Sequence, residues 1–231
     1  MNESLVMSPR QRALEVTDRL QSIYHAEVSH FRAPGACLTP VDELILTVLS
    51  QSTTDTNSWR GFQHLRASFP SWDDVADAPL AEVEHAIHAC GLAHQKAPRL
   101  QAILQRLRVE QGAITLDFLA DRSPMEACDY LTSFHGVGRK TAACVLLFAL
   151  GMPALPVDTH VLRLAWRLQF IPNGVTAARA HDLLEALLPP NAYLAFHLNI
   201  ITHGRQVCHA RHPACERCCL FDLCPFGQTR T

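Results

Sequence analysis

At 231 residues, 48% of them hydrophobic and with no low-complexity tract, the chain can bury one large core or two smaller ones and reads as globular. Its formal net charge of −2 excludes a nucleic-acid binder held by bulk positive charge, so any grip on a polyanion must come from local patches, helix dipoles and backbone amides. The first ten residues lack the apolar run of a signal peptide. The longest apolar stretch, 142–157, is shorter than a membrane span and is broken by Gly151, Pro153 and Pro156. The expectation is a cytoplasmic protein (nucleoid-associated in a bacterium) with no membrane partner.

The predicted elements are helices throughout. Residues 41–51 place Leu44, Ile45, Val48 and Leu49 at helical spacing behind the start signal Thr39-Pro40. A second amphipathic run, 80–90, ends at Gly91, a C-cap. The run 98–111 has leucines on one face and arginines on the other, and the pattern continues at 124–133, 141–150, 159–169, 177–188 and 192–204. Nowhere do apolar residues alternate in the manner of a half-buried strand, so the fold class is all-α. Breaks fall at Ala33-Pro34-Gly35, at 151–156 and at Pro189-Pro190. They divide the chain into a domain of residues 36–150 and a second built from 1–35 with 151–231.

Between two of these helices lies Leu131–Ala143, LTSFHGVGRKTAA. Gly136 and Gly138 around one apolar residue describe a tight turn, and both permit positive φ. The amides of Val137, Gly138 and Arg139 are expected to point outward at the start of the next helix, where partial positive charge favours a phosphate. A simple cap-and-turn competes with this reading. A phosphate-binding P-loop does not, because Arg139 separates Gly138 from Lys140 and Phe134 stands where its first glycine belongs. Lys140 is one of two lysines in the chain, with Lys96. In the first turn of a helix the dipole opposes a cation, which lowers the amine's pKa and suits it to nucleophilic work. Asp158, before the run VLRLAWRL, is a natural N-cap and also a carboxylate facing a place where positive charge can develop.

Nine cysteines in a reducing compartment point to a metal centre before disulfides. Cys208, Cys215, Cys218 and Cys224 follow a C-x6-C-x2-C-x5-C spacing. Zinc sites generally use two close pairs a dozen or more residues apart. Four thiolates in one compact loop favour a [4Fe-4S] cluster, with Cys219, His209 and His212 as spare ligands. Cys37, Cys90, Cys128 and Cys144 sit in apolar patterns and read as core.

Taken in order, GVGRKTA, VDTHV and the four-cysteine spacing resemble the endonuclease III family of helix–hairpin–helix DNA glycosylases, and the likeness runs over 38–224. It implies two helical domains, a six-helix barrel domain with the helix–hairpin–helix and a four-helix iron–sulfur domain, with DNA in the cleft between them. Lys140 would form the Schiff base and Asp158 would assist it. His135, Gly136, Val137, Gly138 and Arg139 would grip the DNA backbone, with His160 as a further DNA contact. Cys208, Cys215, Cys218 and Cys224 would hold the cluster, which has a structural and DNA-docking role. LSQSTTD resembles the segment whose glutamine fills the hole left by a flipped base, but Gln51 falls one place early and Ser52 stands at the plug. In GLAHQKA, Leu92 would wedge the duplex. Ala93 replaces an aromatic neighbour there, and His135 replaces the proline that opens the family's hairpin.

The activity implied is that of a monomeric bifunctional glycosylase and abasic-site lyase acting on oxidised pyrimidines in duplex DNA. The alternatives are a monofunctional glycosylase and a catalytically weak, cluster-bearing DNA-binding or damage-sensing protein.

Overall fold

The computed structural model describes residues 7–27 and 38–230, which excludes Cys37, the Ala33-Pro34-Gly35 break and the junction expected at 35/36. The described residues form helices and contain no strand. They fall into two compact units, Phe31–Met152 and Met1–His30 together with Pro153–Thr231.

The continuous unit holds α2 (Pro40–Leu49), α3 (Asp55–Ser68), α4 (Trp72–Asp77), α5 (Leu80–Ala86), α6 (Ala93–Gln111), α7 (Pro124–Thr132) and α8 (Arg139–Phe148). α2 is its centre. Thr39 caps the helix in a capping box with Asp42, and Pro40 opens it. Its side chains are apolar nearly all round, so it buries Val41, Leu44, Ile45, Leu46, Val48 and Leu49 and packs on α8, α3 and α6. α8 meets it with Ala142, Ala143, Val145 and Leu146, small enough to bring the helices close. α6 contributes the leucine face expected of 98–111, but begins five residues earlier, at Ala93, with Pro98 inside it. The run 80–90 divides into α5 and a 3-10 turn, His88–Cys90, ended by Gly91 as expected. Among the remaining cysteines, Cys90 and Cys144 are core residues, whereas Cys128 is only half-buried, because the buried face of α7 is that of Ala127 and Leu131.

The other unit consists of α1 (Pro9–Tyr24), α9 (Thr159–Arg167), α10 (Ala177–Leu187), α11 (Tyr193–Gln206) and the short α12 (Pro225–Gln228). α11 is its axis, packed against α1 and α9, with Phe196 and Ile200 fully buried beside Leu20 and Leu164. Asn199, 0% exposed, has its polar atoms occupied: it accepts from the Ala26 amide at 3.0 Å and donates to Gln21 at 2.6 Å.

One close approach in the continuous unit gives a test. A Cβ on Gly61 of α3 would collide with the Cys90 sulfur. Gly61→Ala should therefore destabilise the protein by about 1–3 kcal/mol, the cost of overpacking. In a Cys90→Ala background the sulfur is gone, and the same change should be neutral or stabilising by up to about 1 kcal/mol, the helix preference of alanine over glycine. Urea unfolding midpoints of the four proteins check the reversal of sign.

Candidate active site

Lys140 is the second residue of α8 and is half-buried. The N-cap is Gly138, which supplies no side-chain bond, and the first turn carries no acid. The turn before it is pinned by Phe134, 2% exposed, whose ring meets Tyr130 edge-on at 5.3 Å and lies under the Arg106 guanidinium at 4.7 Å. Arg106 also donates to the Ser133 carbonyl and hydroxyl, both at 2.9 Å.

The glycines divide their work differently from the expectation. Gly136 has φ +80°, and a Cβ there would run into Arg99, so both the backbone and the space demand glycine. Gly138 instead is extended, with φ −94° and nothing near its missing side chain; its contribution is bare access to the helix start. Of the three amides expected to face outward, that of Val137 is turned in and donates to the Phe134 carbonyl at 3.1 Å, which closes the turn. His135 is exposed, Arg139 is half-buried, and Val137 is a core side chain at 5% exposure.

Gln51 does not point away from the hairpin. Its Nε2 donates to the Gly136 carbonyl at 3.1 Å, and its Oε1 accepts from Arg99 at 2.8 Å. Gln51 is a brace between α6 and the turn. Ser52, the next residue, is exposed and left-handed at φ +56°. Leu92 is 44% exposed and also left-handed, at φ +51°. Lys96 is a residue whose location the sequence does not signal. It is 2% exposed, and its Nζ donates to the Leu49 carbonyl at 2.8 Å and the Cys90 carbonyl at 2.9 Å. Burial pushes its pKa below the usual lysine range.

In the other unit Asp158 caps α9, with Oδ1 accepting from the Val161 amide at 2.7 Å. His160, the second residue of α9, is half-buried, and burial lowers its pKa. Further along α9, two arginines one turn apart hold the cysteine loop. Arg163 donates to the carbonyls of Gly204 and Cys208, at 3.1 and 2.9 Å. Arg167 donates to the Cys208 sulfur at 3.1 Å and the His209 carbonyl at 2.7 Å, and its guanidinium lies 4.5 Å over the Phe226 ring.

Cys208, Cys215, Cys218 and Cys224 line one apolar hollow with Phe221 and Phe226. Among the described residues no three His, Cys, Asp or Glu side chains form a group that could hold a metal ion. The donor chemistry does fit a cluster. All four thiols are free, and three sulfurs already accept hydrogen bonds: Cys208 from Arg167, Cys218 from the Leu220 amide and Cys224 from the Gly227 amide, the last two at 3.4 Å. Burial pushes the Cys218 thiol up to about 12 and raises Cys224 as well. Beside them the His203 imidazole, pushed down to about 4 by burial, contacts Tyr24 Oη at 2.8 Å and the Cys218 sulfur at 3.5 Å. Cys219 has its thiol raised by burial, and its carbonyl accepts from Arg19.

Comparison with known proteins agrees with this geometry. Residues 45–190 match the HhH-GPD superfamily of base excision DNA repair proteins. Endonuclease III of Synechocystis sp. is 34% identical over 96% of this chain and 95% of its own length. A candidate DNA glycosylase of Arabidopsis thaliana is 41% identical over 71% of this chain, which spans 56% of that longer protein. A structure of an endonuclease III–DNA covalent intermediate superposes with a TM-score of 0.78 at 28% identity, covering 96% of this chain and 98% of that one. With a helix–hairpin–helix turn, a lysine at the head of α8 and an aspartate cap on α9, the chain belongs to the HhH-GPD superfamily and, within it, to the endonuclease III family of base excision repair DNA glycosylases.

Proposed function

We propose that the protein excises oxidised pyrimidines from double-stranded DNA and then cuts the abasic site by β-elimination, with Lys140 as nucleophile. The observation that carries this reading is the contrast between the two lysines. Lys96 is sealed in the core by two carbonyls, so Lys140 is the lysine left to react. The trapped covalent complex of an endonuclease III supports the same chemistry.

The damaged nucleotide must first leave the stack, at a cost of a few kcal/mol. The Lys140 amine, having given up its proton, attacks C1′. The N–C1′ bond forms as the glycosidic bond breaks, and the base departs with a proton. The C1′–O4′ bond then breaks, O4′ taking a proton, and the sugar opens to an imine; this acidifies the C2′ proton, whose loss expels the 3′ phosphate. Asp158 offsets the positive charge on the sugar and assists proton transfer. The hairpin around Gly136 and Gly138, with Arg139, holds a backbone phosphate at the start of α8. Ser52 and Leu92 enter the gap in the duplex, and His160 is a further DNA contact.

Cys208, Cys215, Cys218 and Cys224 would hold a [4Fe-4S] cluster that supplies a folded, positively framed loop for docking on DNA. Protein purified without oxygen should be brown and carry about four iron and four sulfide per chain, and Cys218→Ser should lower both. A colourless protein with one zinc per chain would show the loop to be a mononuclear site.

Borohydride trapping on lesion-bearing and abasic duplexes tests the chemistry. Lys140→Gln should abolish the crosslink on both. Asp158→Asn should keep the cap, since asparagine caps a helix about as well as aspartate, while base excision falls by roughly 10²–10⁴. Asp158→Ala should add a stability loss of about 1 kcal/mol. A Lys140→Gln protein that crosslinks like wild type refutes the assignment. Base release by a wild type that never crosslinks indicates a monofunctional glycosylase.

A further inference from the structure

The buried ammonium of Lys96 is not used by the chemistry above, and it is placed where a neutral core side chain would be less costly. Taking a charge out of water carries a penalty that only well-formed hydrogen bonds offset. Here both visible partners are neutral carbonyls. Each of them stands at the root of an exposed tip. Leu49 is the last residue of α2, and the Ser50–Ser52 segment hangs directly from it. Cys90 ends the 3-10 turn that leads through Gly91 to Leu92. One cation therefore clamps the roots of two tips whose ends, Ser52 and Leu92, both take left-handed backbone conformations although neither is glycine. Such conformations cost energy and persist only where the surroundings over-determine them.

The clamp is continued one turn along α6. Arg99 holds Gln51, which in turn donates to the Gly136 carbonyl. The α2 carbonyl that Lys96 takes lies at the negative end of the helix dipole, and charge-assisted bonds are roughly twice as strong as neutral ones. A cation on a long stem reaches both carbonyls where no shorter side chain would.

We propose that Lys96 is a positioning residue for base extrusion: its ammonium fixes the distance between the Ser50–Ser52 segment and the Leu92 tip, so that both enter the same gap in the duplex. This rests on the assignment of those two tips to the duplex made above. Lys96 touches no substrate and acts through the loops it holds.

The test uses Lys96→Met, which keeps the stem and removes the donors, in the full-length protein. Single-turnover base release is measured on a lesion in a fully paired duplex and on the same lesion left unpaired in a bulge, where little must be extruded. On the paired duplex the variant should lose about 100-fold, the scale of a misplacement of about 1 Å. On the bulge it should lose less than about tenfold, and borohydride trapping on a pre-formed abasic site should fall no further than that. A variant that is equally slow on both lesions, or as fast as wild type on both, overturns the proposal. So does a failure of both Lys96→Met and Lys96→Gln to fold, which would assign the residue to folding alone. A wild-type protein that releases no base from either duplex refutes the glycosylase reading instead, and is seen before any variant is made.

Discussion

The first amides of a helix have no partner within it, and how each helix meets that demand organises this protein. α1, α2, α4 and α7 close theirs with capping boxes, in which a serine or threonine is paired with a glutamine or acid three residues on. α3 and α10 use threonines, and α9 uses Asp158. α5, α6 and α11 have no side-chain cap, and α8 has a bare glycine at the cap and no acid in its first turn. At α8 the start of the helix keeps its partial positive charge without a capping side chain.

α9 shows the opposite arrangement, in which one short helix serves three tasks. Its start is sealed by Asp158, its apolar face buries Val161, Leu164 and Ala165, and its arginines at 163 and 167 hold the cysteine loop. The carboxylate and the loop are thus fastened to one rigid element. A disturbance of the loop reaches Asp158 through two turns of helix, without any intervening flexible segment.

Much of this was legible in the sequence, for reasons that separate local from distant causes. The hairpin, the Asp158 cap and the cysteine spacing are written in adjacent residues, and the helices of the core announce themselves through apolar spacing. α1, α3 and α4 escape the same reading because their polar faces are wide and α4 is only six residues long. The inward turn of the Val137 amide, the φ of Gly138 and the bracing of Gln51 by Arg99 are set by partners across the fold. No periodicity encodes them. Lys96 is the clearest case: its local pattern is that of an ordinary surface lysine near a helix start, and only the approach of α2 makes it a core residue.

The route of the chain also sets an order in time. α1 packs on α11, and Arg19 bonds to the Cys219 carbonyl and the Asp222 carboxylate, 203 residues further on. At about 5–20 residues per second of synthesis, α1 waits roughly 10–40 s for these partners to be made. A lone helix of 16 residues is marginal in water, so during that interval its apolar face has no stable home. The continuous unit, by contrast, is complete by Met152 and can close while the ribosome is still working. The hairpin ahead of α8 is therefore folded well before the cysteine loop exists, and the newborn chain's exposure to aggregation is concentrated in its first helix.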